Sequence, residues 1–160
     1  MSDDLPLREA TPADIPVLVN HRRRMSEDIA VMADERHEPR DLDRMDSAYG
    51  EHLRTHLDDG SLRAWVIESD GRIVASGAVS FFSWLPRPRD STERLAYLHS
   101  MYTEPEYRRR GLARRIVQAA IDACRAAGMH RLTLHASEAG RSVYQSLGFL
   151  PTNEMRLTLT

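Results

Sequence analysis

A chain of 160 residues is the size of one domain, and 41% hydrophobic with 29% charged residues is the composition of a globular protein. The 22 Lys and Arg are offset by 24 Asp and Glu, a net charge of −2, and aromatics are sparse, which argues against a general nucleic-acid binder. Apolar runs are too short for a membrane span, the acidic start Met-Ser-Asp-Asp-Leu lacks signal-peptide order, and the lone Cys124 leaves no internal disulfide, so the expectation is a cytoplasmic protein.

In chain order, Leu5 to Ala10 reads as a short strand. Thr11-Pro12-Ala13-Asp14 starts a helix, with Thr11 as N-cap and Pro12 at its first position. Asp41 to Asp59 predicts a second helix, with Gly60 just past its end. Arg63 to Glu68 and Ile73 to Phe82 flank Asp70-Gly71, the pattern of a hairpin. Ser83 to Arg94, with two prolines, is a loop, and Leu95 to Thr103 is a strand closed by Pro105. Leu112, Ile116, Ala119, Ala120, Ala123 and Ala127 recur at helical spacing, and Gly128 ends that helix. Leu132 to His135 is a strand, Glu138 to Ser146 a short helix and Met155 to Leu159 a closing strand. Cys124 lies beside the apolar stripe and reads as a packed small side chain. No repeat or linker interrupts the chain, so residues 1–160 form one domain. Three consecutive central strands should be antiparallel, with one parallel crossover through the 112–127 helix.

The densest chemistry is Tyr107-Arg-Arg-Arg-Gly-Leu-Ala-Arg-Arg115. It falls where a strand passes into a helix N-terminus, whose first amides lack partners and whose dipole is positive. Gly111 lets the backbone approach a bulky anion where a Cβ would intrude. A phosphate ester is the expected ligand, with a solvated arginine face or a nucleic-acid footprint as alternatives.

Arg108-x-x-Gly111-x-Ala113 resembles the signature of the GNAT superfamily, the acetyl-CoA-dependent N-acetyltransferases. Thr103-Glu-Pro-Glu-Tyr107 resembles the segment before that signature, and Tyr144-Gln-Ser-Leu-Gly-Phe149 the Tyr-x-x-x-Gly-Phe element near the family's C-terminus. The resemblance is dense from about Leu95 to Phe149. It implies an α+β fold: a mixed, mostly antiparallel sheet of six to seven strands with about four helices, splayed between the fourth and fifth strands to admit the acetyl-pantetheine arm.

The resemblance also implies roles. Met101, Tyr102 and Thr103 would hydrogen-bond the arm and thioester through their main chain. Amides around Arg108, Arg109, Arg110, Gly111, Leu112 and Ala113 would cradle the pyrophosphate. Tyr144 matches the tyrosine that returns a proton to the leaving thiolate, whereas its ring packing under the Gly148-Phe149 turn is the plainer alternative. Ser137 stands where many relatives carry an asparagine that contacts the arm. Attack on a thioester needs a neutral amine, hence a base or water relay. The position of the glutamate that serves some relatives falls near Tyr97, a poor base at a reference pKa of about 10. His99, two residues on and expected to share a sheet face with Tyr97 and Met101, is a candidate at about 6.5, and Glu154 is another. The other histidines are scattered without ligand-like spacing, so no metal is expected.

The expected activity is N-acetylation of an amine, with a small molecule favoured over a protein or peptide amine. A CoA-binding sensor without catalysis is the rival, and a homodimer stays open. Met25, Met32, Met45 and Tyr49 are candidates to line an acceptor cleft.

Overall fold

The computed structural model describes residues 4–159. The elements run β1 (Leu7–Glu9), a 3₁₀ turn (Pro12–Asp14), α1 (Ile15–Met32), α2 (Pro39–Asp59), β2 (Leu62–Ser69), β3 (Arg72–Ser83), β4 (Arg94–Thr103), a second 3₁₀ turn (Pro105–Tyr107), α3 (Leu112–Ala126), β5 (Leu132–Leu134) and α4 (Glu138–Ser146). The strands lie in sequence order in one sheet. Pairings β1–β2, β2–β3 and β3–β4 are antiparallel, and β4–β5 is parallel. α3 is the crossover that parallel pairing requires.

Local chemistry accounts for the boundaries. The Thr11 amide donates to the Asp14 carboxylate at 2.8 Å, closing the entry to α1. Asp70 and Gly71 have φ of 50° and 74°, the two left-handed residues of a hairpin turn whose twist matches its strands. α2 ends on Gly60 at φ 74°. After α3, the amides of Gly128 and Met129 return to the carbonyls of Arg125 and Cys124, satisfying the last turn.

The sheet separates two cores. On one face Ile116, Val117 and Ala120 of α3 pack fully buried on Ile67, Val79 and Leu98. On the other, Leu18 of α1 and Leu53 of α2 cover Leu62, Val66 and Ala78. Each large aliphatic side chain taken fully from water contributes roughly 1.5–3 kcal/mol. Cys124 is buried in the α3 core, and burial pushes its thiol up, as a packing role requires.

Two expectations about strands change. Met155 to Leu159 forms no strand among the described residues, leaving five strands rather than six or seven. Met155, Leu157 and Leu159 are 95%, 80% and 86% exposed. Their alternation is strand-like, but a strand needs a neighbour, and β5 offers an edge only three residues long. The second change is a bulge in β4. Pairing steps from Ala78↔His99 to Ser76↔Tyr102, so Gly77 faces both Ser100 and Met101. Ser100 takes φ of 56° there. Met101 therefore turns to the α3 core rather than sharing the face of Tyr97 and His99. A side chain at residue 77 would run into Met101 Sδ and into Ile116 Cγ2 at 2.8 Å.

Candidate active site

β4 delivers the chain to a turn rich in backbone donors. The Tyr107 and Arg108 amides donate back to Glu104 and Pro105, and the next bond in the chain is Arg115 to the Gly111 carbonyl at 3.1 Å. Among the described residues, the amides of Arg109, Gly111 and Leu112 to Arg114 donate to no backbone carbonyl, and those of Leu112 to Arg114 form the open N-terminal turn of α3. Arg109 and Gly111 are left-handed, at φ of 59° and 77°, which folds this run of donors into a concavity. Nothing lies within 4 Å of where a Gly111 Cβ would sit, so in this structure the need for glycine is conformational rather than steric. Arg108 braces the turn: Nε donates to the Thr103 carbonyl at 2.9 Å and Nη2 to Asp28 at 2.8 Å. The Arg110 guanidinium lies 5.1 Å from the Tyr107 ring centre.

Glu104, one residue after β4, anchors that turn from beneath. Its carboxylate is buried and accepts from Arg24 at 2.6 Å, with Arg72 at 3.3 Å and His21 Nε2 at 3.5 Å. Burial opposes its charge, but the hydrogen bond and field of Arg24, aided by Arg72, hold it below the usual carboxylate range. His21 is 1% exposed, with Nδ1 2.7 Å from Ser76 Oγ, and burial pushes it down to about 4.

Beside the turn the sheet opens. β4 and β5 pair only from Ala96↔Leu132 to Leu98↔Leu134. Met101, Tyr102 and Thr103 lie beyond the last pair, so their main-chain groups on the β5 side meet no strand. The gap's far wall is α4. Ser137 caps that helix, its Oγ accepting from the Gly140 amide at 3.2 Å, so its hydroxyl is already engaged. The Tyr144 ring packs against Gly140 and lies 5.8 Å from Phe149, edge to face. Its hydroxyl bonds no group among the described residues, and burial raises its pKa.

The candidate bases divide. His99 has Nε2 2.7 Å from Ser80 Oγ and Nδ1 2.8 Å from Ser100 Oγ. Burial first, then the Arg22 charge, push it down to about 4, so both nitrogens are engaged and its basicity is weak. Glu154 is different. It meets His135 Nε2 at 2.5 Å, and His135 Nδ1 lies 2.5 Å from the Tyr97 hydroxyl and 3.3 Å from Arg156 Nη2. Two donors face Nδ1, which assigns its lone pair there and places the N–H on Nε2, toward Glu154. The result is a connected chain, Tyr97–His135–Glu154, at the mouth of the gap where β5 leaves β4. His135 was not legible as a site residue, because nothing local links positions 97, 135 and 154. Of the methionines and Tyr49 expected at an acceptor cleft, Tyr49 is buried with its hydroxyl 3.0 Å from Ser100 Oγ, while Met32 is 60% exposed at the end of α1. Among the described residues no three His, Cys, Asp or Glu gather as a metal site, and no helix is long and apolar enough to cross a membrane.

A strand leading into a donor-rich turn at a helix N-terminus, beside two parallel strands that part after three pairs, is the arrangement of an acyltransferase fold. The chain belongs to the acetyltransferase (GNAT) family, whose pattern it matches over residues 25–149. It is 32% identical over 93 residues to an L-amino acid N-acyltransferase, MnaT, of Escherichia coli, a match spanning 56% of this chain and only 52% of that protein. It is similar in structure to a GCN5-related N-acetyltransferase from Ralstonia eutropha, with a TM-score of 0.86 at 25% identity over 97% of this chain and 98% of the other. It is also similar to a predicted acetyltransferase from Clostridium acetobutylicum solved with acetyl-CoA, with a TM-score of 0.85 at 29% identity over 98% and 96% of the two chains.

Proposed function

We propose that the chain transfers an acetyl group from acetyl-CoA to the amine of a small molecule of amino-acid type. The observation that carries the donor is the open first turn of α3, Leu112 to Arg114, entered through the two left-handed residues Arg109 and Gly111. That cradle fits a pyrophosphate, since each N–H is a donor already fixed in place. The unpaired edge of β4 from Met101 to Thr103 suits the amide-bearing arm, as an added strand would. The acceptor class is supported by the E. coli relative's name.

Acetyl-CoA supplies an acyl carbon joined to a sulfur that leaves as thiolate. This chain must then take a proton from the amine and give one to the sulfur. On the first side, the Tyr97 oxygen accepts from the amine while its own proton passes to His135 Nδ1, and Glu154 stabilises the resulting imidazolium. His135 holds Glu154 below the usual carboxylate range, which keeps it charged for that task. Burial, with Glu154 second, raises Tyr97, so the phenol relays a proton rather than resting as an anion. On the second side, Tyr144 is the donor to sulfur: its hydroxyl bonds no group among the described residues, and burial raises its pKa, which keeps the proton in place. His99, engaged at both nitrogens, orients the face instead.

The test is thiol release from acetyl-CoA by the purified chain across amino acids, polyamines, aminoglycosides and peptides, with products identified by mass. Acetylation confined to peptides or to polyamines would overturn the acceptor class. Tight acetyl-CoA binding without turnover on any amine would favour a sensor.

A further inference from the structure

Arg22 stands apart from every other arginine of comparable burial. The half-buried Arg8, Arg23, Arg24, Arg63, Arg87 and Arg115 each face a carboxylate within 4.0 Å. Arg22 is equally half-buried and faces none among the described residues. Its Nη1 donates to Ser100 Oγ at 2.8 Å, and its guanidinium lies 4.9 Å from the Tyr49 ring centre. The groups around it are the Tyr49 ring, His52, His99 and the Ser100 hydroxyl, none of them an acid. A guanidinium taken half out of water without a counter-charge is costly, and its fork of donors matches two carboxylate oxygens.

Its position says what the counter-charge belongs to. Arg22 is bonded to the bulge residue of β4, and its field reaches both His99 and Tyr97, the first link of the proton chain. It therefore looks onto the same sheet face that receives the amine. Phe82 follows Ser80 by two residues on β3, so its ring emerges on that face as well, 42% exposed and 6.4 Å from Trp84. One surface thus offers a cation that faces no carboxylate among the described residues, a proton acceptor and an apolar aromatic pair.

We infer that Arg22 binds the carboxylate of the acceptor, making the substrate an amine that carries a carboxylate and an apolar side chain, such as an aromatic α-amino acid. This rests on the reading of the Tyr97 face as the acceptor site.

The experiment uses the full chain loaded with CoA and two probes, N-acetyl-L-phenylalanine and its carboxamide, titrated by calorimetry. The acid should bind at least ~10-fold more tightly than the carboxamide, and Arg22→Gln should erase that difference, as loss of a charged hydrogen-bond partner does. In transfer assays Arg22→Gln should lower kcat/KM for phenylalanine by roughly 100-fold, mostly through KM, yet leave phenylalaninamide within about threefold, while Arg22→Lys recovers part of the loss. Equal binding of the two probes to the wild type, no binding of either, or equal losses for both acceptors would overturn the assignment, the last marking Arg22 as a strut for Ser100. Preferential binding of the acid with no transfer to any amine would uphold Arg22 as a carboxylate site and sink the proposed activity instead.

Discussion

Replacing His21 with Gln should flatten the acid limb of the stability curve. His21 is 1% exposed and pushed down to about 4, against an ordinary value of 6.5 in the unfolded chain. Because the folded value is depressed, the unfolded state binds a proton below pH 6.5 that the native state refuses. Stability is therefore lost as pH falls from 6.5 toward 4, and the loss stops growing once the native histidine also titrates. The gap corresponds to roughly 3 kcal/mol at pH 4, at about 1.4 kcal/mol per tenfold change in proton activity. His99, also pushed down to about 4, adds to the same window in both proteins and cancels in the comparison. The assay is urea unfolding of wild type and His21→Gln at pH steps from 7 to 4. Any stability that His21→Gln loses at pH 7 is common to every pH step, so the quantity that matters is the difference in slope with pH. Parallel curves across that window would show that His21 accepts its proton in the folded state, and would refute the view that its cavity excludes the charge beside Glu104, Arg24 and Arg72.

Three further outcomes follow from the site. Tyr144→Phe keeps the ring against Gly140 and Phe149 and should lower kcat by roughly 10²–10³ with acetyl-CoA affinity unchanged; a kcat within twofold alongside a lower Tm would make it a packing residue. His135→Gln cuts the link between Tyr97 and Glu154, and a loss of roughly 10² in kcat/KM that lessens as rising pH deprotonates the amine would mark a proton path, whereas a pH-independent loss would mark mere scaffolding. Gly111→Val forces a β-branched residue to φ of 77°, so calorimetry should find acetyl-CoA binding lost while the far-ultraviolet spectrum persists; wild-type affinity would discredit the cradle.

Sequence and structure agree where the controlling physics is local. The Asp70-Gly71 turn, the stop at Gly60 and the stripe of α3 each depend on residues within a turn or two of one another. Disagreement begins where distant parts must meet. The alternation of Met155, Leu157 and Leu159 is a sound local strand pattern, but a strand exists only if an edge is free and long enough, and that is decided at β5. The strict two-residue period placed Met101 beside His99, and the bulge at Ser100 reversed it; a serine carries no advance notice of a positive φ. The donor cradle was legible because its parts are contiguous. The proposed acceptor face was legible only in pieces: Tyr97 and Glu154 were each singled out, but Arg22, Ser80, Tyr97, His135 and Glu154 come from α1, β3, β4, the end of β5 and the segment after α4. Glu104, legible in the sequence only as part of Thr103–Tyr107, meets Arg24, Arg72 and His21 only once the chain folds.

The extra residue at Ser100 also fixes the phase of β4. Ahead of it odd-numbered residues, Tyr97 and His99, look toward α1 and α2, while Ala96 and Leu98 look toward α3. Past it the parity inverts: Tyr102 meets His21 and Arg24, and Met101 sits in the α3 core. Removing one residue here would not merely shorten the strand. With Tyr102 and Glu104 held by their contacts to α1, the upstream half would advance by one position, turning Leu98 toward α1 and α2 and driving Tyr97 and His99 into the apolar core. This stretch of chain should therefore accept substitutions far more readily than single-residue insertions or deletions, since a change of length exchanges the polar wall of the sheet for its greasy one.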